Sequence, residues 1–190
     1  MDTTIPPLEP VDATTRSVGA RADATVVDAW TAHHEEVYAY LVRTTRDPAA
    51  AEDLLQEAYV RLLRETRAGR APDNTRAWLY RVAANLAVSR GRRLGTAIRW
   101  LAGSGRRAAQ PATDDPPEAA LLAREGSSEL VGALASVKPD ARAALLLAAE
   151  GFTGAEIAAA IGRSEAATRT LMCRARLQVR SGLARAEVVR

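Results

Sequence analysis

Cysteine occurs once in this chain of 190 residues, at Cys173, and histidine only twice, at His33 and His34. An internal disulfide is therefore excluded, and a structural zinc site lacks the usual four ligands. The uninterrupted apolar runs are short. The longest, Ala143 to Ala149, falls far below the roughly 20 residues needed to span a bilayer. Aromatics make up only 4% of the chain. No apolar stretch follows a basic start near the N-terminus, so no secretory signal is visible and the cytoplasm is the expected compartment. Also missing are a glycine-rich phosphate loop and a serine or cysteine placed for activation by a histidine. No catalytic group, metal or cofactor is expected.

Arginine is what the chain has in excess. Lys138 is its one lysine among 26 basic residues, and the formal net charge is +3. The arrangement says more than the total. Arg76, Arg81, Arg90, Arg92, Arg93, Arg99, Arg106 and Arg107 lie between Asn74 and Thr113 with no acid among them. Arg169, Arg174, Arg176, Arg180, Arg185 and Arg190 follow near the end with only Glu187 for company. Acidic stretches at 35–57 and 114–165 separate or flank these zones. Two basic zones on one chain point to two contacts with a polyanion.

The alanine- and leucine-rich remainder, poor in β-branched runs, predicts an all-α protein. Residues 1–24, rich in proline, threonine and aspartate, read as a mobile tail. A first helix is expected over about 25–44, with Val27, Trp30, His34, Val37 and Leu41 on its inner face. Asp47-Pro48 marks the start of a second helix reaching about Arg67, since aspartate caps free N–H groups and proline fits the first helical position. Leu54, Leu55, Ala58 and Leu62 face inward. After a loop, Asp73, Asn74 or Thr75 caps a third helix over about 75–91, carrying Trp78, Leu79, Val82, Ala83 and Leu86 on its apolar side. Gly91 and Gly95 are expected to weaken it beyond that point.

These three helices form a first domain over 25–94. Glycines and prolines in 95–117 read as a flexible linker, with Ile98, Trp100 and Leu101 as an apolar island. A second small domain spans 118–190, with helices near 118–136, 140–150, 154–161 and 165–185. Leu130, Leu134, Val137, Leu145, Leu146, Ile157 and Ile161 supply its core.

The second domain carries the sharpest local pattern. Thr153 and Glu156 have the spacing of a capping box, Gly162 follows one short helix, and Ser164 can cap the next. This is a helix-turn-helix, in which Gly162 permits the turn and Ala158 a close crossing. Thr168, Met172, Ala175 and Val179 would face the core. Arg163, Ser164, Glu165, Ala166, Arg169, Thr170 and Cys173 are left outward near the helix start, where a recognition helix meets base edges. Arg174, Arg176 and Arg180 can reach phosphates. By itself the pattern leaves open a stand-alone helix-turn-helix regulator.

Three stretches in order resemble one family. DPAAAEDLLQEAYVRLL over 47–63, AWLYRVAANLA over 77–87, and residues 152–176 are similar to the core-binding helix, the promoter-melting helix and the −35 reader of the extracytoplasmic-function (ECF) sigma factors, small members of the sigma-70 family. The resemblance covers about 26–185. It implies a dissociable specificity subunit of RNA polymerase, made of a region 2-like bundle and a region 4-like helix-turn-helix domain. It also implies that Asp53, Gln56, Glu57 and Arg61 contact the clamp helices of the largest polymerase subunit. The second domain would meet the flap of the second largest subunit. Residues 67–74 and the helix carrying Arg76, Trp78, Arg81, Asn85, Arg90, Arg92 and Arg93 would hold the melted −10 strand, with Trp78 and Tyr80 able to stack on bases. Control by an anti-sigma protein and a monomeric free state are implied as well. The sequence departs from the family pattern at Ser89, where an acid is usual, and at 166–171, which read AATRTL. A sigma-like adaptor that binds polymerase without reading promoters is the alternative these departures suggest.

Overall fold

The computed structural model describes residues 13–103 and 128–188, all of whose regular elements are helices. We number them α1 (Ala13–Thr45), α2 (Pro48–Arg67), α3 (Thr75–Gly103), α4 (Ser128–Ala135), α5 (Pro139–Ala149), α6 (Gly154–Ile161) and α7 (Glu165–Val188).

Local chemistry sets most of the boundaries. The Asp47 side chain accepts from the Ala50 backbone N–H at 3.0 Å with Pro48 at the first helical position, and this starts α2. Of the three capping candidates for α3, Asn74 is the one used, accepting from the Ala77 N–H at 2.9 Å. The Thr153–Glu156 capping box is complete in both directions. Gly162 ends α6 in the left-handed region at φ 66°, where a side chain would be strained. Ser164 Oγ then accepts from the Ala167 N–H at 3.3 Å and opens α7.

Two elements run differently from the sequence reading. Helix α1 begins at Ala13, so 13–24 are helical rather than part of a tail. Ala22 is buried, and Asp23 pairs with Arg67 of α2 at 2.7 Å, which anchors that added turn. The buried stripe of α1 is also rotated: Ala22, Ala29, Val37, Tyr40, Leu41 and Thr44 face the core, while Val27 and Trp30 are 62% and 41% exposed. Helix α3 continues through Gly91 and Gly95 to Gly103, so the first part of the expected linker is helical. Gly91 sits where a Cβ would lie 3.2 Å from Pro139 Cβ; packing against α5 decides this position rather than helix propensity. The rest of the linker reading, 104–117, and the first turns expected for the second domain, 118–127, lie outside the described residues. So do the side chains of Ile98, Trp100 and Leu101.

The core is where the fold brings its two parts together. One buried apolar cluster includes Tyr40, Leu41, Leu62, Leu79 and Tyr80 of α1–α3 together with Ala143, Leu147, Ile157 and Ile161 of α5 and α6. Tyr80 is fully buried, with ring centroids 5.3 Å from both Tyr40 and Phe152. It is therefore a core residue and not a stacking platform for bases. Leu130 is 40% exposed, contrary to its expected place in the core of the second part. Thr168, Met172 and Ala175 are buried and Val179 half-buried, which fixes the face α7 turns outward.

Candidate nucleic-acid interface

Three surfaces gather the residues singled out by the sequence. On α2, Asp53, Gln56 and Arg61 are exposed and Glu57 half-exposed. Glu57 accepts from Arg61 Nε at 2.8 Å, one turn apart, a surface pair worth only about 0.3–0.5 kcal/mol. Val60, 40% exposed, falls at the same helical face as Asp53, Gln56 and Glu57, and the sequence reading passed over it. Trp30 of α1 packs edge-on against Tyr59, the residue before Val60 in α2, and stacks on His34. The Tyr59 hydroxyl donates to the Ala29 carbonyl at 3.1 Å and locks α1 to α2. The surface is thus polar with exposed apolar side chains next to it, the composition of a protein-docking face. The signal for it was present in the alternative α1 stripe Ala22, Val26, Ala29, His33, Val37, which leaves Trp30 outside.

On α7, Glu165, Ala166, Arg169, Thr170, Cys173, Arg174 and Arg176 are all exposed. The buried Thr168, Met172 and Ala175 pin the opposite face. Arg169, Arg174 and Arg176 have no ion-pair partner among the described residues. Arg163 is different: it pairs with Asp140 at the start of α5, so it braces the turn. Ser164 serves as the cap already described, and the Thr170 hydroxyl donates to the Ala166 carbonyl at 3.1 Å.

The third surface lies on α3. Arg81 and Asn85 are exposed and Trp78 is half-buried. Asn85 accepts from the Ser89 hydroxyl at 3.3 Å, Arg93 donates to the Ser89 carbonyl at 3.4 Å, and Arg90 reaches Asp47 at 3.5 Å. Arg76 is committed elsewhere. Its Nε donates to both Glu36 oxygens at 3.1 Å, its Nη2 to Glu150 at 3.0 Å, and its guanidinium carbon lies 4.8 Å from the Tyr80 ring centroid. Burial works against its charge, but the bonded Glu36 carboxylate outweighs that and holds Arg76 above its ordinary value. Burial, with Glu150 and Glu36 nearby, pushes the Tyr80 phenol up, so it stays neutral. Arg92 donates to the Ile161 carbonyl at 2.9 Å. A cleft of about 350 Å³ separates the 72–74 loop, Trp78 and Arg81 from Leu147, Phe152 and Glu156.

Comparison with known proteins places this geometry. Residues 29–96 match the model described as "Sigma-70 region 2" and residues 127–179 the one described as "Sigma-70, region 4". The chain is 31% identical over 185 residues to the ECF RNA polymerase sigma factor SigE of Mycolicibacterium smegmatis, covering 94% of this chain and 71% of that protein. The chain belongs to the ECF sigma factors. SigX of Bacillus subtilis, another ECF sigma factor, is 27% identical over 73% of both chains. A solved structure of the sigma factor RpoE in complex with the anti-sigma factor NepR from Bartonella quintana shares the fold, with TM-score 0.58 and 22% identity. It covers 82% of this chain and 94% of that one.

As an ECF sigma factor the protein acts in transcription initiation, binding core RNA polymerase and promoter DNA. The stand-alone regulator reading is thereby set aside. Among the described residues no helix is long and apolar enough to cross a membrane.

Proposed function

We propose that this sigma factor divides its work among the three surfaces. The outward face of α2, with Asp53, Gln56, Glu57 and Arg61 and with Val60 and Trp30 beside them, docks on the clamp helices of core polymerase. The polar groups set orientation and on-rate, and the apolar side chains add area to be buried. Helix α7 enters the major groove at −35, with Arg169 and Thr170 toward base edges and Arg174 and Arg176 toward phosphates. Its domain also meets the flap of the second largest subunit. The 67–74 loop and α3 receive the melted −10 strand through Arg76, Trp78, Arg81, Asn85, Arg90, Arg92 and Arg93. Binding energy to core and duplex is converted into strand separation, and no covalent chemistry falls to this chain.

The observation that carries this reading is the capped helix-turn-helix presenting Arg169, Arg174 and Arg176, without an ion-pair partner among the described residues, on an exposed face. Such a face binds a phosphodiester backbone and can reach base edges. An anti-sigma protein would act by covering one of these surfaces; the resemblance to a sigma factor solved with NepR supports that control.

The test is transcription by purified core polymerase plus this protein from a library of promoter-length DNA, with the transcripts sequenced. Two shared upstream elements at fixed spacing are expected. Core binding without transcripts from any template would point to the adaptor reading instead.

A further inference from the structure

We infer that α7 selects thymine in the duplex it reads, with Thr170 at the centre of an uncharged stripe that meets the C5-methyl groups on the floor of the major groove. The inference rests on reading α7 as the −35 helix. Ala166, Thr170, Cys173 and Leu177 are spaced by four, three and four residues, which at about 3.6 residues per turn puts them in one line. Each stands two positions before a core-facing residue, Thr168, Met172, Ala175 or Val179, and hence on the opposite side of the helix. All four are exposed, Leu177 at 59%. The stripe is short of hydrogen-bond donors. Ala166 and Leu177 have none, and the Cys173 thiol is a weak one. The Thr170 hydroxyl spends its hydrogen on the Ala166 carbonyl at 3.1 Å. What Thr170 presents outward is then a methyl group and an oxygen that only accepts. Leu171 is half-buried against the core and adds no polar group to the stripe.

The charges around the stripe say what covers it. Arg169, Arg176 and Arg180 border one side and Arg174 the other, all exposed and without an ion-pair partner among the described residues. A cationic border on both sides of an uncharged centre complements a major groove, whose rims are phosphates and whose floor is base edges. A protein partner fits less well, because the centre of a protein interface is depleted in charge and this stripe is one residue wide between arginines. On the groove floor the stripe discriminates by what it lacks. Over guanine it leaves O6 and N7 without a donor, whereas over an A·T pair the thymine methyl meets apolar carbon. The acceptor-only oxygen of Thr170 suits the N6 amino group that adenine shows on the edge of that same pair. Arg169, the residue before Thr170, keeps its base-edge role at a neighbouring position. Removing one buried methyl from such a contact weakens binding about fourfold.

The test uses holoenzyme assembled from core polymerase and the full chain. Bound duplexes are selected from a promoter-length library, and each thymine of the selected −35 element is replaced singly by deoxyuridine, which lacks only the C5-methyl. Affinity should fall about fourfold at one or more thymines. Thr170→Val keeps the methyl and should preserve the preference for thymine over uracil. Thr170→Ser keeps the hydroxyl and should bring that preference close to one at the thymine Thr170 faces. Arg174→Ala should weaken thymine and uracil templates alike. Position 170 is exposed, so neither of its variants disturbs the core. Equal affinity for thymine and uracil at every position, an element without thymine, a full preference retained everywhere by Thr170→Ser, or its loss in Thr170→Val would each overturn the methyl contact and leave α7 as the reader. A holoenzyme that selects no upstream element, or one whose selected element is indifferent to Arg174→Ala, would overturn the −35 reading of α7 and the methyl contact with it.

Discussion

Arg142 is 5% exposed and has no carboxylate beside it among the described residues. It is held by carbonyls: Thr44 at 2.9 Å and Leu134 at 3.3 Å. Thr44 lies in the last turn of α1, where the helix dipole favours a cation. Burial, with Arg46 nearby, pushes the guanidinium down to about 10, which still leaves it charged at neutral pH. Replacing Arg142 with Leu removes the donor and strands two acceptors, so a loss of about 1–3 kcal/mol is expected in urea unfolding. On α2, alanine at Asp53 and Gln56 together should weaken core binding and leave duplex binding alone, measured by titration against each. Unchanged core affinity would remove that face from the interface. On α7, Arg169→Ala should cost about 1–3 kcal/mol at one base position, whereas Arg174→Ala should weaken all sequences alike and lower the salt slope by about one. Affinities across single-base variants of the −35 element separate the two.

Helix α6 shows how much a short element depends on its ends. Eight residues cannot hold a helix in water unaided. The box at Thr153 and Glu156 and the left-handed Gly162 fix both termini, and Ile157 and Ile161 hold the buried side. The backbone N–H of Thr153, with its hydroxyl, holds the Glu156 carboxyl below its ordinary value. The sign of the linkage follows. The carboxylate's contribution is fully present above the unfolded value of 4.5 and is lost as pH falls through the lower folded value. Thr153→Ala should return Glu156 toward its ordinary value in a carbon-detected NMR titration and cost about 1 kcal/mol. An unchanged titration would show that the Thr153 hydroxyl does not bond Glu156 in solution. These ends were legible because capping is local chemistry. The same holds for α2, where Asp47-Pro48 predicts the observed start. The stripe of α1 was not: Val27 and Trp30 fit the helical spacing as well as Ala22 and Ala29 do, and only packing against α2 and α3 decides between them.

At the scale of the molecule, one apolar cluster joins α1–α3 to α5 and α6, with Tyr80 and Phe152 across the join. Unfolding of the two parts should therefore be coupled. Thermal melts followed by tryptophan fluorescence, which reports Trp30, Trp78 and Trp100 of α1 and α3, and by far-UV circular dichroism should coincide at low salt. Phe152→Ala should separate them by removing the ring that fills the join. Coincident melts in that variant would mean the coupling lies elsewhere.

By itself the sequence determined the helical class, the order of the helices, the caps at Asp47, Thr153 and Gly162, and the two basic zones. Each of these is set by residues within a few positions of one another. It also carried the three stretches that mark the family. What only the tertiary structure decided is which arginines are available. Arg76 and Arg92 look in sequence like Arg81 and Arg169, yet two are bonded across the molecule and two are exposed. Arg76 is bonded to Glu36, 40 residues away, and to Glu150, 74 residues away, and Arg92 to the Ile161 carbonyl, 69 residues away; no local pattern announces contacts between groups so far apart in the chain. The helical continuation of α3 past Gly91 has the same origin, because the space that glycine provides matters only once Pro139 has packed against it.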